Sequence, residues 1–83
     1  MGDVILVIRV LPKDPESFEK VKSALETLDP KRLEDEPIAF GLKALKVTFM
    51  VPDEGGHQDK LENKIKSIEG VGEFEVIQAS RSL

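Results

Sequence analysis

The 83-residue sequence predicts an α+β domain in which strands and helices follow one another as β-α-β-β-α-β. Three observations lead there. Short β-branched or alternating apolar runs recur near the start, middle and end of the chain. Two amphipathic stretches with helix punctuation lie between them. Nothing resembling a linker or a low-complexity segment interrupts the pattern.

The first run, DVILVIRVL (Asp3 to Leu11), is β-branched and short, so it reads as a strand. Leu6, Ile8 and Val10 alternate to one side; Ile5, Val7, Arg9 and Leu11 alternate to the other. A single layer of helices can cover only one of these sets. The next stretch, KDPESFEKVKSALETLDP, opens with Asp14 as a good N-cap and Pro15 at the first helical position. Phe18, Val21, Leu25 and Leu28 form one apolar stripe, Lys20, Lys22 and Glu26 are expected to face water, and Asp29-Pro30 ends the helix.

The polar segment KRLEDEPIA (Lys31 to Ala39) reads as an edge strand, because Pro37 bars it from the middle of a sheet. LKALKVTFMV (Leu42 to Val51) is a strand with Leu45, Val47, Phe49 and Val51 on one face and Lys43 and Lys46 outside that set. PDEGG is a turn. QDKLENKIKSIEG is a second helix, with Leu61, Ile65 and Ile68 on its stripe, Gly70 as its stop and Asp59 or a neighbour as its cap. GEFEVIQAS closes the chain as a last strand. The common compact solution for this order is the ferredoxin-like split βαβ: a four-stranded antiparallel sheet with both helices on one face, here as one domain over residues 1–83.

Composition narrows what such a domain can do. Hydrophobic residues make up 40% and charged residues 34%, and there is no cysteine, so packing alone must hold the fold. Sixteen acidic against twelve basic residues give a formal charge of −4 with no basic block. That argues against direct nucleic-acid binding, which needs a Lys/Arg footprint. The apolar start is too short for a membrane span and lacks the features of a signal peptide, so no membrane is expected and the location expected is cytoplasmic.

Chemistry on a small substrate finds little support. His57 is the only histidine, and the acidic residues around it (Asp53, Glu54, Asp59) do not have the spacing of a calcium loop or the ligand types of a zinc site. Gly70-Val71-Gly72 follows a helix, whereas a dinucleotide loop follows a strand. There is no phosphate-binding loop, and Glu34, Asp35 and Glu36 read as a solvated run. No metal and no cofactor are expected.

Two features resist this bland account. Phe40-Gly41 puts an aromatic at the corner between two strands, where turns are usually polar; the ring either packs under the corner or serves something outside the chain. On the sheet face away from the helices, Ile5, Val7, Leu11 and Met50 should form a bare apolar surface, for which a weak homodimer is the simplest structural explanation.

The stretch PIAFGLKALKVTFMVPDEGG, with its Pro, small apolar pair, Phe-Gly corner, Lys-bearing strand and acidic turn, is similar to the signature of translation elongation factor one-beta. VIRVLPKDPESFEKV resembles that family's first strand and helix, and ASRSL sits where the family ends. The likeness covers essentially the whole chain and is of the free-standing, archaeal kind. It implies a guanine nucleotide exchange factor, not an enzyme that makes or breaks a bond. The implied partner is elongation factor one-alpha, in its GDP-bound or nucleotide-free form. It also implies a partner-binding role for Phe40 as an anchor, Gly41 as the corner, and Lys43 and Lys46 as basic positions beside it. Eukaryotic members carry a lysine next to the last residue; Ser82 stands there in this sequence, and the nearest base is Arg81. The main rival is an amino-acid-binding regulatory module of the same fold, which IEGVGEFEVI resembles a little; a heavy-metal carrier would need a Cys-x-x-Cys loop.

Overall fold

The Asp3–Leu11 run forms the first strand, β1, over Asp3–Pro12. Its partners are β2 (Arg32–Pro37), β3 (Lys43–Pro52) and β4 (Val71–Ser82), in an antiparallel sheet of order β2-β3-β1-β4. The helices α1 (Phe18–Glu26) and α2 (His57–Lys66) complete the expected β-α-β-β-α-β sequence. The computed structural model describes residues 2–53 and 55–82. The architecture is the ferredoxin-like α+β fold.

Alternation in β1 sorts its residues as expected. Leu6, Ile8 and Val10 are fully buried, as are Leu45 and Val47 of β3, with Phe49 nearly so. Val21 and Leu25 of α1 and Leu61 and Ile65 of α2 close over them as one core. Phe18, Leu28 and Ile68, at the ends of the helical stripes, are only partly covered.

Local punctuation differs in two places. Asp14 and Pro15 start a 3-10 turn over Pro15–Ser17, and the α-helix proper begins only at Phe18. The Asp14 carboxylate accepts from the Ser17 N–H at 2.9 Å and from its hydroxyl at 2.8 Å, so the cap acts on the tighter turn. At α2, where Asp59 or a neighbour was expected as the cap, Asp59 is not the cap and the N-cap residue makes no side-chain capping hydrogen bond. Gly56, in the left-handed region at φ 92°, is the N-cap, and Asp59 lies in the first helical turn, where its charge favours the positive end of the helix dipole. α2 ends at Lys66 with Ser67 as its C-cap, so the expected stop at Gly70 is corrected: Gly70 lies in the turn that leads into β4, at φ 101°, where a Cβ would stand 3.0 Å from Ser17 Cβ and 3.1 Å from Val21 Cγ2. Glycine is therefore required both for the turn and for the close approach to α1. Among the described residues no helix is long and apolar enough to cross a membrane.

The sheet face opposite the helices is less apolar than the strand pattern implies. Val7 is buried without a covering helix, Ile5 and Leu11 are half-buried, and Met50 is exposed. Arg9 divides this face. Its Nε donates to Glu36 Oε1 of β2 at 2.5 Å, and its Nη1 donates to Glu75 Oε1 of β4 at 3.1 Å. The guanidinium thus ties both edge strands to the central one, and a small residue, Ala44, pairs with Glu36 on β3 beneath it. The expectation of a bare apolar face is corrected accordingly: the Arg9–Glu36 and Arg9–Glu75 ion pairs cross it.

Candidate functional site

The corner predicted to be special joins β2 to β3. Pro37 is the last β2 residue paired, with Lys43, and the chain reverses through Ile38–Leu42. The Ile38 N–H donates to the Leu42 carbonyl at 2.8 Å, and the Leu42 N–H donates to the Ala39 carbonyl at 3.2 Å. Both central residues have positive φ, Phe40 at 61° and Gly41 at 74°, as in the type I′ turns whose twist suits a hairpin. Gly41 takes this conformation freely. Phe40 does not: the left-handed region costs an L-residue with a Cβ roughly 1–2 kcal/mol.

The ring gains nothing from the fold in return. Phe40 is 98% exposed, which settles the choice between a ring tucked under the corner and a ring presented outward. Ile38 and Leu42 flank it, also exposed. Beside the tip lies a groove of about 400 Å³ between the hairpin and the β1–α1 connection. Leu11, Pro12, Pro15 and Phe18 form its apolar wall, and Lys13, Asp14, Glu19 and Lys43 its charged rim.

The remaining sequence candidates do not form one patch with Phe40. Lys43 has the same parity as Leu45, so it lies on the helix side, with its ammonium 5.7 Å from the centroid of the Phe18 ring. Lys46 lies on the opposite face, paired across the sheet with Arg9 and Glu34. Arg81 stands at the far end, opposite Val4 of β1. Its Nε meets Asp53 Oδ2 at 3.1 Å, and the Asp53 N–H donates to the Gly2 carbonyl at 2.9 Å. Ser82 pairs with Asp3 next to it. Corner and tail are separated by the ten residues of β3, roughly 30 Å at about 3.3 Å per residue. Among the described residues no group of three or more His, Asp or Glu side chains could hold a metal ion; Glu54, part of the acidic turn considered in the sequence, lies outside them.

Sequence reasoning missed the groove, the Arg9 ladder and the Arg81–Asp53 pair. The ladder had a signal: one arginine inside an otherwise apolar strand, with glutamates in both segments that become its sheet edges. The Arg9 hydrogen bond holds the Glu36 carboxyl below its usual range, helped by the charges of Arg9 and Lys46 and opposed by partial loss of solvent. A carboxylate lowered in this way stabilises the fold above its unfolded pKa, about 4.3, and loses that contribution as pH falls through the lower folded value. Glu36→Gln should therefore reduce stability at neutral pH, and the gap from the parent should close below about pH 4, read from denaturant midpoints across pH. A gap of constant size down to acid pH would remove the ladder from the account of stability.

These features define a ferredoxin-like α+β domain whose most exposed apolar groups suit contact with another macromolecule. Residues 5–81 match the family described as the EF-1 guanine nucleotide exchange domain. The chain is 43% identical over 83 residues to elongation factor 1-beta of Methanoregula boonei, covering 96% of this chain and 98% of that one. It is 41% identical over 80 residues to the protein of the same name from Thermoplasma acidophilum (89% and 91% covered). It is 37% identical over 87 residues to that of Methanothermobacter thermautotrophicus (98% of each). The chain belongs to the EF-1 guanine nucleotide exchange family, with the role of a translation elongation factor that promotes nucleotide exchange.

Proposed function

We propose that this protein binds the GDP form of elongation factor one-alpha, releases the nucleotide by stabilising the nucleotide-free state, and so lets GTP replace it. The observation that carries the reading, beside family membership, is Phe40: an aromatic 98% exposed, in a backbone conformation unfavourable to it. Strain kept at an exposed position is explained when another molecule uses the side chain. Phe40 is the anchor, Gly41 lets the corner turn, and Lys43 adds charge at the rim. Lys46 faces the other side of the sheet and contributes through the field of that face. Arg81, with Ser82 beside it, presents a cation at the opposite end of a molecule 42 Å long, so a partner touched by both ends is spanned lengthwise.

Such a factor makes and breaks no covalent bond. If it binds the empty GTPase more tightly than the GDP complex, linkage requires that it weaken GDP binding by the same factor. The test is release of labelled GDP from the cognate elongation factor one-alpha with excess unlabelled GTP. Substoichiometric amounts of this protein should accelerate release many-fold, since each molecule acts repeatedly. Release at the intrinsic rate, with the GTPase shown to be active, would overturn the proposal.

A further inference from the structure

Apart from Gly41 and Lys43 at its edge, the groove beside the corner has no role in the exchange reading above, and its place next to Phe40 has a consequence for the protein alone. We propose that a second copy of this chain fills it: two molecules meet corner to corner, each inserting Phe40 into the other's groove. Gly41 and Leu42, the neighbours of Phe40, line the groove, so projecting ring and receiving cavity belong to one continuous surface. A surface that carries both is what a two-fold pair needs, because the same patch must serve on each side.

Size and charge agree. A phenylalanine ring offers about 150–250 Å² for burial. A groove of about 400 Å³ lies within the roughly 300–1,000 Å³ of sites that enclose small organic groups. Its wall of Leu11, Pro12, Pro15 and Phe18 is apolar, and its rim holds two cations, Lys13 and Lys43, and two anions, Asp14 and Glu19. Two copies of such a rim can face each other with unlike charges opposed. The other exposed surface, the open sheet face, is less suited, since a copy docking there would have to cover the Arg9, Glu36 and Glu75 charges.

The pairing is weak by construction. The molecule measures 22 × 17 Å across its long axis, so an end-to-end contact buries well under the roughly 800 Å² per partner of a standard interface. We expect a Kd of roughly 0.1–1 mM for so small a contact, so that the exposed ring is masked only when the protein is concentrated.

The test uses the purified chain without any GTPase, so its failure leaves the exchange reading untouched. Two-dimensional amide NMR spectra are recorded from roughly 20 µM to roughly 2 mM, bracketing that Kd. The amides of Lys13, Phe18, Ile38, Phe40 and Leu42 should shift together along one binding curve. Phe40→Ala should abolish the dependence while keeping a dispersed spectrum, and Met50→Ala on the open face should leave it unchanged. In a mixed sample of labelled and unlabelled chains, intermolecular contacts should join the Phe40 ring to Leu11 and Pro15, a readout that needs no variant. Spectra constant with concentration, shifts confined to Ile5, Val7 and Met50, or a dependence that survives Phe40→Ala would each overturn the proposal.

Discussion

Leu25→Ala should lower the unfolding free energy by about 2–5 kcal/mol, the largest effect of any substitution considered. Leu25 is fully buried in α1 and belongs to the cluster that joins the helices to Leu6, Ile8 and Val10 of β1. Truncation removes the transfer energy of the lost carbons and leaves a cavity that a close-packed interior only partly refills. A domain of this length has a total stability of roughly 4–12 kcal/mol at about 0.05–0.15 kcal/mol per residue. The variant therefore sits near the edge of folding at room temperature. Each kcal/mol is worth about 4–8 °C in Tm for a chain of this size, so calorimetry or a denaturant midpoint reads the loss directly. An unchanged midpoint would mean that α1 does not present this face to the sheet.

The second large effect separates binding from stability. Phe40→Ala should leave the midpoint almost where it was, because the ring is 98% exposed and alanine in the left-handed region is strained to a similar degree. Phe40→Gly should match or raise the parent's stability, by up to about 1 kcal/mol, since glycine enters that region without strain while adding freedom to the unfolded chain. Both variants should lose roughly 2 kcal/mol or more of affinity for elongation factor one-alpha, as removal of a central aromatic anchor does. Isothermal titration against the nucleotide-free GTPase and a melting curve on the same sample give the two numbers. A glycine variant that is as stable as the parent and still exchanges GDP at the parent rate would take Phe40 out of the site.

Much of the fold was legible because its signals are local. Alternation in Asp3–Leu11 and Leu42–Val51 and the stripe Val21–Leu25 each follow from a few neighbouring residues, and the β-α-β-β-α-β order leaves few compact arrangements, although the helices end at Glu26 and Lys66, short of the stops expected at Pro30 and Gly70. What was not legible depends on contacts between distant segments. Val7 is covered without a helix, and Arg9 finds its two carboxylates 27 and 66 residues away. The side of the sheet that Lys43 occupies was legible from alternation alone, since Lys43, Leu45 and Val47 are spaced by two, and placing it outside that set is corrected on that ground. The corner was singled out from Phe40-Gly41 alone; the direction of the ring, and the groove beside it, emerged only once β1, α1 and the hairpin were placed together.

The sheet order also governs how the chain reaches this state. β1, made first, is central, yet one of its neighbours is β4, made last: Asp3 pairs with Ser82. Thirty positions separate the end of β3 at Pro52 from the end of β4 at Ser82. At synthesis rates of about 5–20 residues per second, the first strand waits roughly 1.5–6 s with one edge unsatisfied. Pairing the two ends of the chain also raises the contact order, which slows folding even when the product is stable. Removal of β4 would therefore strip the central strand of half its ladder, and nascent chains are open to edge-to-edge association at β1 until β4 has been made.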